Sequence, residues 1–383
     1  MTGSKLRAVV AAYILGTATL AGGAVILSAP ASAAVRAVVG KPLQEAQALA
    51  AQGNYKAAMA KINEAAAATG KTAEEEKIIA QMKEYIAIKS GDTSTAAGAK
   101  AKFANDYNAR NYKAVIDDGE ALRKTGGLDA ASMQIVAQAY YLSGDKQGCL
   151  RYIKSNFGKN PGDETLALQL RCAYDVGDDA TQRQALETLV AHTGKAEYWS
   201  DLLKLSERGE GMSDHNTLDI YRLKSLTGTI NGKDEYTTLA QIAMQLGFPG
   251  EAESVIEKGQ AAKVLNDDRT NRLLALAKKQ AAADTAGLTK ALATAKAAPK
   301  GDALVKIGED LWGQGKYKDA IGALQDAMKK PLDDKNSAEV RLGMAYLGAG
   351  QKADAIKAFD RVKGPATDKL VMIAHLWSLY ARH

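Results

Sequence analysis

Histidines, cysteines and paired carboxylates are the side chains that could do chemistry in this sequence, and they are few. The four histidines, His192, His215, His375 and His383, stand apart, and none pairs with another at a metal-ligand spacing such as H-E-x-x-H. Asp178-Asp179 and Asp267-Asp268 are adjacent carboxylates. Each pair falls where a helix is expected to start, and there negative charge serves the exposed backbone N–H groups. No G-x-S-x-G turn, Walker loop or dinucleotide-type glycine motif occurs. The sequence therefore predicts no catalytic, cofactor-binding or metal-binding residues, and a protein that is not an enzyme. A cell-envelope enzyme with an unrecognised active site stands as the alternative.

The elements that would position any site are more legible than the site. Residues 302–331 and 336–365 carry one pattern twice. Gly315 and Gly350 hold equivalent places 35 residues apart, with a small residue seven earlier (Gly308, Gly343) and a large one four earlier (Leu311, Tyr346). Ala320-Ile321 and Ala355-Ile356 follow, then Leu324 and Phe359, and Pro331 and Pro365 close the copies. Small-large-small spacing on paired helices of this length resembles the tetratricopeptide repeat. Two antiparallel helices meeting at a left-handed glycine cap approach closely, so their contact positions take Gly or Ala. One hairpin cannot bury its own apolar face and needs neighbours. The resemblance implies an all-α fold, a right-handed α-solenoid of helix hairpins with a C-terminal capping helix.

The same offsets recur along the chain. Ala46, Leu49, Gly53, Ala58 and Ile62 form a first unit, and residues 74–89 a further amphipathic helix whose pairing, backwards or forwards, stays open. Phe103, Tyr112, Val115 and Leu122 mark a weaker unit, with Arg110 standing where glycine is usual. Ala137, Tyr140, Gly144, Cys149 and Ile153 follow, then Leu170, Ala173 and Gly177, whose second helix is shifted to Ala185, Leu186 and Leu189. The spacing loosens over 196–232, and Ala240, Ala243, Gly247, Ala252 and Ile256 restore it. This organisation predicts a signal peptide over 1–33, an N-terminal array over 34–195, an irregular helical hinge over 196–232 and a C-terminal array over 233–383. Residues 268–298 read as Ala-rich helix with few bulky side chains, the least stable part. Residues 369–382 place Leu370, Ile373, Trp377 and Tyr380 on one side of a terminal helix, as a cap over the last apolar face.

The leader sets the compartment. Lys5 and Arg7 precede an apolar run over 8–27, and Ala31-Ser32-Ala33 ends it with small residues at cleavage-type spacing. Export with cutting after Ala33 is expected, which points to a periplasmic protein of a Gram-negative bacterium with no membrane span after cleavage; an N-terminally anchored protein is the alternative. Over the whole chain the net charge is +6, with acids and bases interspersed along helices, so nucleic acid is not an expected partner. Cys149 and Cys172 are the only cysteines, and no Cys-x-x-Cys is present. An even pair in an oxidising compartment invites a disulfide, and Cys149 and Cys172 fall on elements that pack together. Two small buried thiols are the other reading, since Cys149 takes the place of Ala320 and Ala355.

Binding is what the resemblance implies: first helices lining a concave groove, with the residue three before each hinge facing it. That position gives Tyr107, Tyr141, Tyr174, Met244, Trp312 and Leu347, and the same face takes Gln134, Gln138, Arg171, Gln241, Glu309 and Met344. Tyrosine offers flat apolar area, a polar tip and little entropy loss, which suits peptide or protein recognition; the rings could equally fill gaps between neighbouring helices. The implied function is a scaffold or adaptor holding an envelope protein or peptide, with no cofactor. The Lys and Asn pairs of the family's carboxylate clamp are not matched here. A structural component self-associating through its exposed ends is a further reading.

Overall fold

The computed structural model describes residues 35–158, 161–208 and 210–383, so the leader expected over 1–33 lies outside the described residues. Among those residues there are nineteen helices and no strand, and the chain divides into two compact units between Pro161 and Gly162. The first unit holds α1 (Ala37–Ala51), α2 (Tyr55–Ala67), α3 (Ala73–Ser90), α4 (Ala96–Asn108), α5 (Tyr112–Lys124), α6 (Ala130–Leu142) and α7 (Lys146–Asn156). The second begins with α8 (Asp163–Val176), α9 (Asp179–Thr193), α10 (Ala196–Ser206), α11 (Asp214–Leu226), α12 (Gly232–Leu246) and α13 (Pro249–Ala261). It continues through α14 (Asp268–Ala297), α15 (Asp302–Gly313), α16 (Tyr317–Met328), α17 (Lys335–Gly348), α18 (Lys352–Asp360) and α19 (Lys369–Ala381).

Hairpins form where the spacing requires them. Gly53, Gly144, Gly177, Gly247, Gly315 and Gly350 all adopt positive φ, between 72° and 96°, and each ends a first helix. Arg110 takes the same role at φ 62°, a conformation that costs a residue with a Cβ of the order of 1–3 kcal/mol. The two helices of a hairpin then close on the small positions. A Cβ built at Gly308 would stand 2.6 Å from Leu324 Cγ, and one at Gly343 2.5 Å from Phe359 Cε1. In the first unit Gly119 of α5 meets Val136 of α6 just as closely, with 2.3 Å between such a Cβ and Val136 Cγ2.

In the first unit, Val39, Leu43, Ala46, Ala58, Ile62, Ile79 and Ile86 share one core. The helix whose pairing the sequence leaves open, α3, packs backwards on α1 and α2 and forwards on α4. Thr72 and Glu75 form a capping box at its start, and Glu75 also receives the Arg36 backbone N–H and guanidinium at 3.0 and 2.8 Å. Those contacts hold the Glu75 carboxyl down at about 2, the Arg36 side chain contributing most.

The second unit departs from a simple row of hairpins. Residues 196–232, expected as a hinge, form α10 and α11 inside this unit, and Trp199, Leu202, Leu203, Ile220 and Leu223 join a core shared with α9, α17, α18 and α19. The expected boundary region is therefore interior to a unit, and the break lies at 161/162. The terminal helix α19 packs on α18, as a cap should, and also on α11 and α17. Its anchors reach back along the sequence: Lys369 Nζ donates to the Arg208 carbonyl at 2.8 Å and the Tyr380 hydroxyl to the Leu226 carbonyl at 3.4 Å. His375 Nε2 lies 3.2 Å from Glu187. Ile373, Leu376, Trp377 and Leu379 are buried, each contributing roughly 1.5–3 kcal/mol, so α19 is part of this core rather than a loosely held segment.

Candidate functional site

The first helices of the N-terminal unit present the candidate surface. Thr95 caps α4 by accepting the Gly98 N–H, and Asp129 caps α6 by accepting the Ser132 N–H at 2.8 Å, which holds its carboxyl below the usual range. With the cap at one end and a left-handed residue at the other, Arg110 or Gly144, the register of each helix is fixed, and with it the direction of its side chains. Tyr107 of α4 and Gln138 of α6 come together, the phenol donating to Gln138 Oε1 at 3.3 Å. Both are half-buried, as are Gln134 and Tyr141 on α6. The Lys146 ammonium stands 3.5 Å from the centroid of the Tyr141 ring. Tyr140 and Tyr152 pack with ring centroids 5.5 Å apart and planes tilted by 37°, and burial pushes the Tyr152 phenol up to about 12, so it stays neutral.

Lys102 Nζ bridges Asp106 at 2.8 Å and Asp118 at 2.6 Å, joining α4 to α5. Tyr107, Tyr141, Gln134, Gln138 and Lys146 together supply two aromatic rings, two amides and a cation: hydrogen-bonding groups for a backbone and flat apolar area for side chains. Tyr174 and Arg171 belong to α8 of the second unit, where both are exposed, Tyr174 at 66%.

The second unit disposes of its other candidates differently. Gln241 is exposed and Met244 packs against the cluster of Leu218, Leu239 and Phe248. Glu309 and Met344 are buried, and Trp312 and Leu347 pack against the core that contains α19. Trp312 donates Nε1–H to the Met344 carbonyl at 3.0 Å and meets the edge of Trp377 with centroids 6.2 Å apart. Glu309 and Met344 therefore line no open surface, whereas Trp312 and Leu347 stay half-buried, Trp312 on the wall of a cleft beside α13 and α14.

Glu309 belongs to an ionic network that the sequence did not reveal. Arg222 of α11 donates to both oxygens of Glu251, at 2.7 and 2.5 Å, to Asp219 at 3.0 Å and to Glu309 at 2.6 Å. Arg341 of α17 donates to the second Asp219 oxygen at 2.6 Å, and its Nε lies 2.9 Å from Glu309 Oε1 without hydrogen-bonding geometry. All five side chains are at least nine-tenths buried. Trp312 and Phe248 flank the Arg222 guanidinium at 4.8 and 5.5 Å. Burial pushes the Glu309 carboxyl up, but the Arg341 and Arg222 guanidiniums outweigh it and hold the group down at about 2. The network ties α11, α13, α15 and α17 together across as many as 122 residues of sequence. Such groups stabilise only while every partner is present. Among the described residues no cluster of His, Cys, Asp or Glu is arranged to hold a metal, and no helix is long and apolar enough to cross a membrane.

Hinges at positive φ, Gly308 and Gly343 of two first helices seated on Leu324 and Phe359 of their second helices, and recurrence near 34 residues decide the architecture. The chain is an all-α array of tetratricopeptide-like hairpins. No family model matches the sequence, and no curated protein matches it. Among solved structures it is similar to a tetratricopeptide repeat protein from Parabacteroides merdae, at 11% identity over 74% of this chain and 98% of that one, with a TM-score of 0.28. It is also similar to the P58(IPK) TPR domain, at 15% identity over 89% of this chain and 98% of that one, TM-score 0.23. A third is the Cut9 and Hcn1 hetero-tetramer, at 13% identity over 89% of this chain and 72% of that one, TM-score 0.23.

Proposed function

We propose that the protein is a non-enzymatic scaffold of the cell envelope that holds a peptide or protein segment against the first helices of its N-terminal unit. The observation that carries this reading is the contrast between the two sets of inner positions. In the second unit Glu309 and Met344 are buried, Glu309 within an ionic network and Met344 within the core shared with α19, whereas Tyr107, Gln134, Gln138 and Tyr141 remain partly open on α4 and α6. Aromatic rings with hydrogen-bonding tips beside amides are the composition that recognition surfaces favour. The leader over 1–33 supports export to the periplasm.

Replacing Tyr107 and Tyr141 by alanine tests the reading. Capture of a partner from the native envelope should be abolished while helicity and melting stay nearly unchanged. Equal capture by the double variant would remove the groove reading, and collapse of folding would make the rings packing residues instead. Turnover in an activity screen, lost on changing a single His or Asp, would replace the scaffold by an enzyme.

A further inference from the structure

Helix α19 meets α9 and α18 in different ways. Towards α9, Leu186 and Val190 share a core with Ile373, Leu376 and Trp377. At the edge of that core His375 Nε2 stands 3.2 Å from Glu187 Oε2, which ties the middle of α19 to the middle of α9. Towards α18 a cleft of about 390 Å³ remains between the two helices, lined by Phe359, Val362, Val371, Leu379 and His375 itself. A gap of this kind leaves its lining without contacts on one side. His375 thus borders a carboxylate and an open space.

The charges around the ring come from three helices: Glu187 and Arg183 from α9, Arg382 from α19 and Asp360 from α18. Arg382 Nη2 lies 3.5 Å from Asp360 and donates to Ser378 Oγ at 3.2 Å, and Arg183 Nη1 donates to Ser206 Oγ at 2.9 Å. From α11 and α17, which also pack on α19, Asp219, Arg222 and Arg341 are held in the buried network. Glu187 is therefore the acid that pairs with His375. Its hydrogen bond raises the imidazole above the ordinary 6.5, against burial and the two arginines, which pull the other way. The ties of Lys369 and Tyr380 end on backbone carbonyls, whereas that of His375 depends on a proton that imidazole loses near neutral pH.

We propose that His375 and Glu187 form a pH-sensitive pin on the terminal helix: protonated His375 holds α19 to α9, and neutral His375 lets α19 open away from the second unit's core more often. The folded-state value lies above the unfolded one, so the pin is fully in place below pH 6.5 and is lost as pH rises through the higher value. Leu376 and Trp377 stay buried on either side of the change, so the helix loosens rather than detaches. His375 is 57% exposed and Glu187 26%, so water screens the pair and the effect on opening is about two- to fivefold. The pin is separate from the partner surface of the N-terminal unit and does not depend on it.

Hydrogen exchange of the full chain tests this, read by mass spectrometry over residues 369–383 at about pH 6 and about pH 8 and corrected for the intrinsic pH dependence of exchange. Protection should fall about two- to fivefold from the lower to the higher pH. In His375→Gln and in Glu187→Gln protection should match the unaltered protein at the higher pH and should not change between the two conditions. His383→Gln, which removes the other histidine of this segment, should keep the full change. Protection that does not fall in the unaltered protein, a fall that survives in His375→Gln or Glu187→Gln, or a fall that disappears in His383→Gln would each overturn the pin.

Discussion

Replacing Gly343 by alanine should destabilise the C-terminal unit by up to about 2 kcal/mol even though alanine is the better helix former. A Cβ at this position would stand 2.5, 2.7 and 2.8 Å from three carbons of the Phe359 ring. That ring is 2% exposed and packs on Trp377 with centroids 6.2 Å apart, so it has no free direction in which to retreat. Overpacking of this kind costs about 1–3 kcal/mol, while removing a glycine from a helix interior returns about 1 kcal/mol. Gly322 supplies the control. It lies within α16 and a Cβ there meets nothing within 4 Å, so Gly322→Ala should gain up to about 1 kcal/mol. Urea unfolding followed by circular dichroism should move the two midpoints in opposite directions. Adding Phe359→Leu to Gly343→Ala should recover part of the loss. A Gly343→Ala protein that gains stability as Gly322→Ala does would refute the close seating of first helix on second that defines the hairpin.

Other consequences follow from the same structure. Arg222→Met strands three buried carboxylates with Arg341 alone and should cost about 3–5 kcal/mol in urea unfolding. Glu309 is held at about 2, below its ordinary 4.5, so its contribution is present above pH 4.5 and is lost as pH falls towards 2; Glu309→Gln should flatten stability over that interval, measured as urea midpoints. Arg110→Gly relieves a left-handed residue at φ 62° and should raise stability by about 1 kcal/mol. The proposed Cys149–Cys172 bridge is checked by mass: the unfolded, unreduced protein should take no alkyl group and the reduced protein two, and alkylation before reduction would discard the bridge.

Local rules made the hairpins legible. Each hinge needs φ > 0, each close contact needs a missing Cβ, and both leave a residue type at a fixed offset, so Gly308 and Leu324, or Gly343 and Phe359, can be paired from spacing alone. Arg110 was readable as a hinge because its neighbours kept the register when its own type did not. The filling of the second unit was not readable. Asp219, Arg222, Glu251 and Arg341 sit on helices as ordinary charged residues, and their burial depends on partners up to 122 residues away. Glu309 looks the same whether water or Arg222 lies beyond it. Trp377 reads as a cap from its place after the last repeat, but periodicity carries no information about which distant helices a cap also reaches. The same limit applies to α14: helical character over 268–298 is plain in the sequence, whereas the cleft beside it depends on the placement of α15.

The most direct measurement is photo-cross-linking in the native envelope from a benzophenone side chain placed in turn at Tyr107, Tyr141 and Gln241. Positions 107 and 141 should each yield an adduct with the same partner protein, and position 241, exposed on the second unit, should yield none. An adduct from 241 alone, or silence at 107 and 141 while the protein remains folded, would contradict a scaffold that works through its N-terminal unit.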